Sequence, residues 1–258
     1  MSKFFSNNAS QRPARLGRGC FFAGQTAALV LVLALFGGGG AVAQRLEAVG
    51  VAASFTVNQT WVRQARISAA EFTLRTNTDG SRLDDTGNRF SAYARVGVGA
   101  GRFFVQPELA YASGLGSSIT VGFRQFPDSQ FDDNVSTYSH WMRRLDVAPL
   151  AGWRFGQNAY LLAGPVVLFN LRERYSSPDT RSGELAASLD ASVERVQLAA
   201  QAGIGVKLWR LDLNARFEHS LTPYTKAFSL DNQRYGYRQS TSQVIFNLGF
   251  LLFDSRRG

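Results

Sequence analysis

Hydrophobic and polar residues alternate with a period of two along much of this chain. In 196–208, Val196, Leu198, Ala200, Ala202, Ile204, Val206 and Leu208 share one face, and Gln197, Ala199, Gln201, Gly203, Gly205 and Lys207 share the other. In 211–218, Leu211, Leu213, Ala215 and Phe217 oppose Asp212, Asn214, Arg216 and Glu218. Residues 244–252 set Val244, Phe246, Leu248, Phe250 and Leu252 against Asn247 and Gly249. Residues 103–111 set Phe103, Val105, Leu109 and Tyr111 against Gln106, Glu108 and Ala110. In 89–99, Ala92, Ala94, Val96 and Val98 oppose Tyr93, Arg95 and Gly97. Such alternation predicts strands with one apolar and one polar face. Residues 46–57 form a weaker strand diluted by Ala and Gly. Segments 144–151 and 160–171 are nearly continuous apolar runs whose phase is open. Pro107, Pro149 and Pro165 each remove a ladder donor from these strands. The total is eight strands.

The connections between them alternate in length. Ala100-Gly101-Arg102, Phe155-Gly156-Gln157-Asn158 and Trp209-Arg210 are tight turns, whereas 58–88, 114–139, 173–192 and 222–239 are long and polar. A transmembrane barrel separates its connections in this way, with short turns in the periplasm and long loops outside. Strands of about ten residues suffice for a tilted span of roughly 9–11. Aromatic residues gather near strand ends, with Tyr138 and Trp141 toward the long loops and Trp153, Phe155, Tyr160 and Trp209 beside the tight turns. The predicted fold is all-β: an eight-stranded antiparallel up-and-down transmembrane barrel, apolar to lipid and polar to the lumen. Both ends of the barrel domain would lie in the periplasm. Eight strands leave an interior that side chains fill, so no diffusion pore is expected. A soluble periplasmic lipocalin-like binding barrel is the competing fold-level reading.

The first 43 residues read as a signal peptide and residues 44–258 as the barrel domain. Lys3, Arg12, Arg15 and Arg18 form a basic n-region, an apolar run ends at Phe36, and Ala41 and Ala43 precede Gln44 with the small residues a signal peptidase requires. Cys20 is the only cysteine and falls in this segment, so no disulfide is expected in the barrel. The formal charge of +9 falls to +5 without the four n-region cations. The remaining arginines are dispersed in an exported chain, and no nucleic-acid partner is expected. Arginine outnumbers lysine 25 to 3, which suits bidentate contact with carboxylates or lipid phosphates.

The chemistry-bearing residues are few. Arg95, Glu108, Asp146, Lys207, Asp212, Arg216 and Glu218 would face the lumen, where they would pair and plug it, because an unpaired charge away from water is costly. A narrow ion path is the functional alternative. His140 and His219 each adjoin a serine, Ser139 and Ser220, but strand neighbours point to opposite faces, so neither pair is preformed. His219, in phase with Phe217, would face lipid near the outer rim. Asp128, Asp132, Asp133 and Asn134 match no calcium loop and read as a solvated loop. No catalytic, cofactor-binding or metal-binding residue is assigned.

Three segments carry a family resemblance. Phe104-Val105-Gln106-Pro107-Glu108-Leu109-Ala110-Tyr111, Leu145-Asp146-Val147-Ala148-Pro149-Leu150 and Ala163-Gly164-Pro165 occur in the order seen in the PorT-like outer-membrane β-barrel family. The hairpin from Gly203-Ile204-Gly205-Val206 to Arg216-Phe217 is similar to that family's penultimate hairpin. The resemblance implies an eight-stranded barrel in a Gram-negative outer membrane and no shared enzymatic activity. Gly249, Leu251 and Phe253 in the last strand resemble the C-terminal signal read by the barrel-assembly machinery. The expected partners are that machinery, outer-membrane lipids and an extracellular or envelope protein. The expected role is non-enzymatic, in envelope structure or through the long loops. The alternative role is a lipid-modifying enzyme in which His219 or His140 meets a serine and a carboxylate.

Overall fold

The first and last long strands pair with each other and close the sheet on itself. The computed structural model describes residues 44–62, 66–68, 72–76, 85–99, 101–123, 134–171, 181–230, 233–236 and 238–255. These belong to one compact unit, 42–258. Ala41 and Ala43 lie outside the described residues, and Gln44 opens the first strand. In chain order the elements are β1 (Gln44–Val62), β2 (Arg66–Ser68), β3 (Phe72–Thr76), β4 (Asp85–Val98), β5 (Phe103–Phe123), β6 (Asn134–Phe155) and β7 (Ala159–Leu171). Then come a helix, α1 (Arg181–Ala191), and β8 (Val196–Leu208), β9 (Leu211–Ser220), β10 (Phe228–Leu230), β11 (Gln233–Tyr235) and β12 (Gln239–Asp254).

Eight long strands run antiparallel around the barrel in the order β1-β4-β5-β6-β7-β8-β9-β12 and back to β1. All eight coincide with predicted strands. All four expected long connections contain regular structure. Most of 114–139 is strand, because β5 and β6 stay paired out to Phe123↔Asn134. β3 adds to the projecting part of β5, and β2 adds to β3. Gly116-Ser117-Ser118 and a register shift between Leu115 and Ser118 interrupt the apolar alternation there, so alternation alone stops short of the paired segment. Segment 173–192 contains α1, and 222–239 contains the β10–β11 hairpin. Leu185 and Leu189 of α1 and Phe228 and Leu230 of β10 are buried, and the helix packs on that strand.

The burial pattern is inverted relative to a soluble barrel. Leu109, Leu145, Leu161, Leu198, Ile204, Leu213, Phe217, Phe246, Leu248 and Phe250 are exposed on the outer face, whereas Arg89, Glu108, Asp146 and Asp212 are completely or almost completely buried. A band of that extent placed in water would forfeit about 25 cal/mol for each Å² of apolar surface. In hydrocarbon it costs nothing, and the soluble alternative falls on this observation.

The prolines occupy gaps in the ladder. Pro107 directly faces Pro149 across β5–β6. The β4–β5 ladder is interrupted between Tyr93↔Glu108 and Val96↔Val105, beside Pro107. The β6–β7 ladder is interrupted between Val147↔Val167 and Ala151↔Ala163, where the register places Pro149 opposite Pro165. Two missing N–H donors thus share one gap, and neither leaves a partner strand with an isolated loss. On the lumen side, glycines admit aromatic rings from the next strand. Phe104 pairs with Gly152 and Tyr160 with Gly205, and a Cβ at either glycine would lie 2.1 or 2.2 Å from the ring. These rings cover bare backbone that a side chain would otherwise occupy.

Candidate functional site

The lumen holds two linked charge clusters stacked along the barrel. Near the tight-turn end, Asp212 accepts hydrogen bonds from Arg95 (2.5 Å), from the Tyr93 hydroxyl (2.8 Å) and from the Tyr160 hydroxyl. The Arg95 guanidinium also lies 4.3 Å from the Tyr160 ring centroid and 5.3 Å from that of Phe104, at distances where a ring face attracts a cation. Arg95 Nε donates to Gln106 Oε1 at 2.7 Å, and Gln106 Nε2 donates to Glu108 Oε2 at 3.1 Å. That glutamine couples the first cluster to the second.

Glu108 lies between Arg216 (2.8 Å) and Arg89 (3.2 Å). Arg89 also reaches Asp146 at 3.6 Å and Glu218 at 3.8 Å. Arg144 closes the circuit, lying 3.0 Å from Asp146 and donating to Glu218 at 2.8 Å. Glu218 further accepts from Gln201 at 2.8 Å and Gln243 at 2.6 Å. Below these, Arg154 pairs with Glu47, and Lys207 pairs with Asp254 at 2.6 Å. The pairs together comprise the cations Arg89, Arg95, Arg144, Arg154, Lys207 and Arg216 and the anions Glu47, Glu108, Asp146, Asp212, Glu218 and Asp254. Six charges of each sign leave the network formally neutral.

All seven sequence-predicted lumen charges lie on the inner face. Six of them, Arg95, Glu108, Asp146, Asp212, Arg216 and Glu218, belong to the two clusters, and Lys207 lies nearer the rim. Sequence reading missed Arg89, Arg144, Arg154, Glu47 and Asp254. Arg89 shares its parity with Tyr93 and Arg95, so that signal was present. Glu47 has a different origin: the β1–β4 register passes from Leu46↔Val96 to Ala48↔Arg95, and the bulged residue turns into the lumen. Two recesses flank the clusters. One, of about 40 Å³ and open to solvent, is lined by Glu47, Arg95, Arg154, Lys207 and Asp254. The other, of about 20 Å³, is lined by Thr56, Asn58, Met142, Arg144 and Gln243. Arg89, Glu108, Asp146 and Arg216 line neither.

Elsewhere, His219 is exposed on the outer face, as its parity predicts, and stacks on Phe217. Its Nδ1 lies 2.7 Å from the Ser242 hydroxyl on the facing strand, not from neighbouring Ser220. His140 and Ser139 fall within β6, and Asn134 begins that strand. Asp128, Asp132 and Asp133 lie outside the described residues. Among the described residues no grouping of His, Cys, Asp and Glu could hold a metal ion. Phe253 is exposed at the tight-turn end, paired with Val49. Leu251 is buried on the inner face, and the neighbouring inner-face position, Gly249, is packed beneath the Tyr93 hydroxyl.

An apolar exterior, a closed antiparallel sheet and a charged interior define an integral β-barrel of the outer membrane. The chain belongs to the outer membrane protein beta-barrel domain family, whose model matches residues 43–226. No curated protein matches it. Among solved structures, it is similar to Ail, the attachment invasion locus protein of Yersinia pestis, crystallised with the heparin analogue sucrose octasulfate, at 13% identity over 80% of this chain and 100% of that one, with a TM-score of 0.38. The outer membrane protein AlkL shares 11% identity over 85% of this chain and 97% of its own, with a TM-score of 0.39. The outer membrane protease OmpT of Escherichia coli shares 9% over 81% and 95%, with a TM-score of 0.28.

Proposed function

We propose that this protein is a non-enzymatic outer-membrane barrel with an occluded lumen, acting in envelope structure or through the loops at its long-connection end. The observation that supports this is the neutral ion-pair network. A selective ion path needs charge of one sign and a continuous opening, whereas here each charge is met by its opposite. Within the family, the order of Gln106-Pro107-Glu108-Leu109, Asp146-Val147-Ala148-Pro149-Leu150 and Ala163-Gly164-Pro165 favours a PorT-like member. In this reading residues 1–43 are the export signal, the tight turns face the periplasm, and α1 and the β10–β11 hairpin face outward. A protease site inserted between Leu230 and Gln233 is expected to be cut in intact cells, and one inserted at Gly156 to be cut only after the membrane is opened. The reverse pattern would overturn the orientation.

The second reading is a lipid-modifying enzyme, favoured by one contact, that of His219 with Ser242. A triad needs a carboxylate to orient the imidazole. The carboxylates of the barrel's middle, Glu108, Asp146, Asp212 and Glu218, are turned into the lumen and paired there. The contact therefore reads as a cross-strand hydrogen bond. Replacing both with alanine is expected to leave the lipid A and phospholipid profiles unchanged; an altered acylation pattern would restore the enzyme reading.

A further inference from the structure

The backbone nitrogens of Pro149 and Pro165 point at one another across β6–β7. Pro107 pairs with Pro149 across β5–β6, yet neither has an N–H. That ladder runs through them only if its bonds lie on the flanking residues, which turns the Pro149 nitrogen toward β7. Pro165 pairs with Ala200 across β7–β8, and the same reasoning turns its nitrogen toward β6. The β6–β7 register then sets Pro149 opposite Pro165 where each would donate to the other. Both donors are missing, and the ladder is open between Val147↔Val167 and Ala151↔Ala163, a stretch of about 13 Å.

Every side chain at this opening is apolar: β6 supplies Val147-Ala148-Pro149-Leu150-Ala151 and β7 supplies Ala163-Gly164-Pro165-Val166-Val167. Ala148, Leu150 and Val166 are completely buried on the inner face, with Leu162 beside them. Leu145 and Leu161 are exposed on the outer wall. β7 carries no Asp, Glu, Lys or Arg, so the ion pairs of the lumen bypass it. Its polar ends reach away from β6, the Tyr160 hydroxyl to Asp212 of β9 and Asn170 Nδ2 to Gln197 of β8 at 3.2 Å. Parting two strands in hydrocarbon is resisted chiefly by the backbone groups it leaves without partners. Here two of those donors do not exist.

We propose that this opening is a lateral gate through which an acyl chain of the bilayer passes between β6 and β7 and lies against Leu150, Leu162 and Val166. Position identifies the occupant: hydrocarbon meets the outer wall there, and the inner wall behind it is hydrocarbon as well. On either side the strands stay joined, from Arg143↔Leu171 to Val147↔Val167 and from Ala151↔Ala163 to Phe155↔Ala159, so the gate opens locally in a closed barrel. The charges on β4, β5 and β9 stay paired when it opens, and it admits an apolar chain and no ions.

The test is photolabelling of the whole barrel in phosphatidylcholine vesicles whose lipid carries a diazirine midway along one acyl chain. Labelled residues are read by peptide mass spectrometry. Label is expected on Leu150 or Val166 as well as on the outward-facing Leu145 and Leu161. It is expected to be absent from Gln201 and Ile245, which are as deeply buried on the inner faces of β8 and β12. Pro149→Val combined with Pro165→Val restores both donors with a residue that favours strands. That double variant is expected to lose the inner-wall label and keep the label on Leu145 and Leu161, which shows that it is inserted. The label pattern of the unaltered barrel decides even where the double variant does not insert. Label confined to the outer wall of the unaltered protein would overturn the proposal. So would an inner-wall label undiminished in the double variant, or label of equal strength on Gln201 and Ile245, which would report general loosening.

Discussion

Glu108→Ala is expected to destabilise the barrel by about 3–5 kcal/mol, because removing one partner strands the charges that met it. Glu108 accepts from Arg216 and Arg89, and both guanidiniums are almost wholly buried. Without the carboxylate, the three buried cations Arg89, Arg144 and Arg216 would face only Asp146 and Glu218. The other acids do not fully replace it: Arg89 stands 3.6 Å from Asp146 and 3.8 Å from Glu218, farther than its contact with Glu108. The measurement is urea unfolding in vesicles, followed by the shift between folded and unfolded bands on unheated gels. Pairing Glu108→Ala with Arg216→Met is expected to recover part of the loss, since the second substitution removes one stranded charge. A loss no larger than that of an exposed ion pair would contradict the network.

Asp212→Ala is expected to cost a similar amount, about 3–5 kcal/mol, by a different route. Here a single carboxylate holds one cation and two phenols, from Arg95, Tyr93 and Tyr160. Its loss leaves the Arg95 charge among aromatic rings, whose attraction amounts to about 0.5–2 kcal/mol and falls short of the missing ion pair. Tyr93 and Tyr160 would also lose their acceptor while lying over Gly50 and Gly205. The exposed pair Lys226–Glu194 serves as the control: the lysine side chain is 63% exposed, and Lys226→Ala is expected to cost about 0–1 kcal/mol. Equal losses at Asp212 and Lys226 would show that burial does not set the energetics.

These expectations rest on features of unequal legibility in the sequence. Strand parity located Asp212, Arg216 and Glu218 directly, because β9 alternates without interruption. It failed at Arg144, because Ala148, Leu150, Leu162, Val166 and Leu168 are apolar and yet face inward. That stretch of lumen wall is lined by hydrocarbon, so apolar residues on both faces erase the phase. The far part of β5 was missed because Gly116-Ser117-Ser118 and the register shift between Leu115 and Ser118 break the alternation before Ile119, Val121 and Phe123 resume it. The α1 helix and the β10–β11 hairpin left no periodic trace because each is short and buries only a few residues. Glu47 reaches the lumen through a bulge, which no period-two count anticipates.

The occlusion of the lumen is tested most directly by electrical recording. The purified barrel, inserted in a planar lipid bilayer, is expected to give no discrete conductance steps, because paired side chains from β4, β5, β6 and β9 fill its cross-section. Stable, ion-selective openings of the unaltered protein would contradict the account, since they require a continuous path through charges that are here closed upon one another.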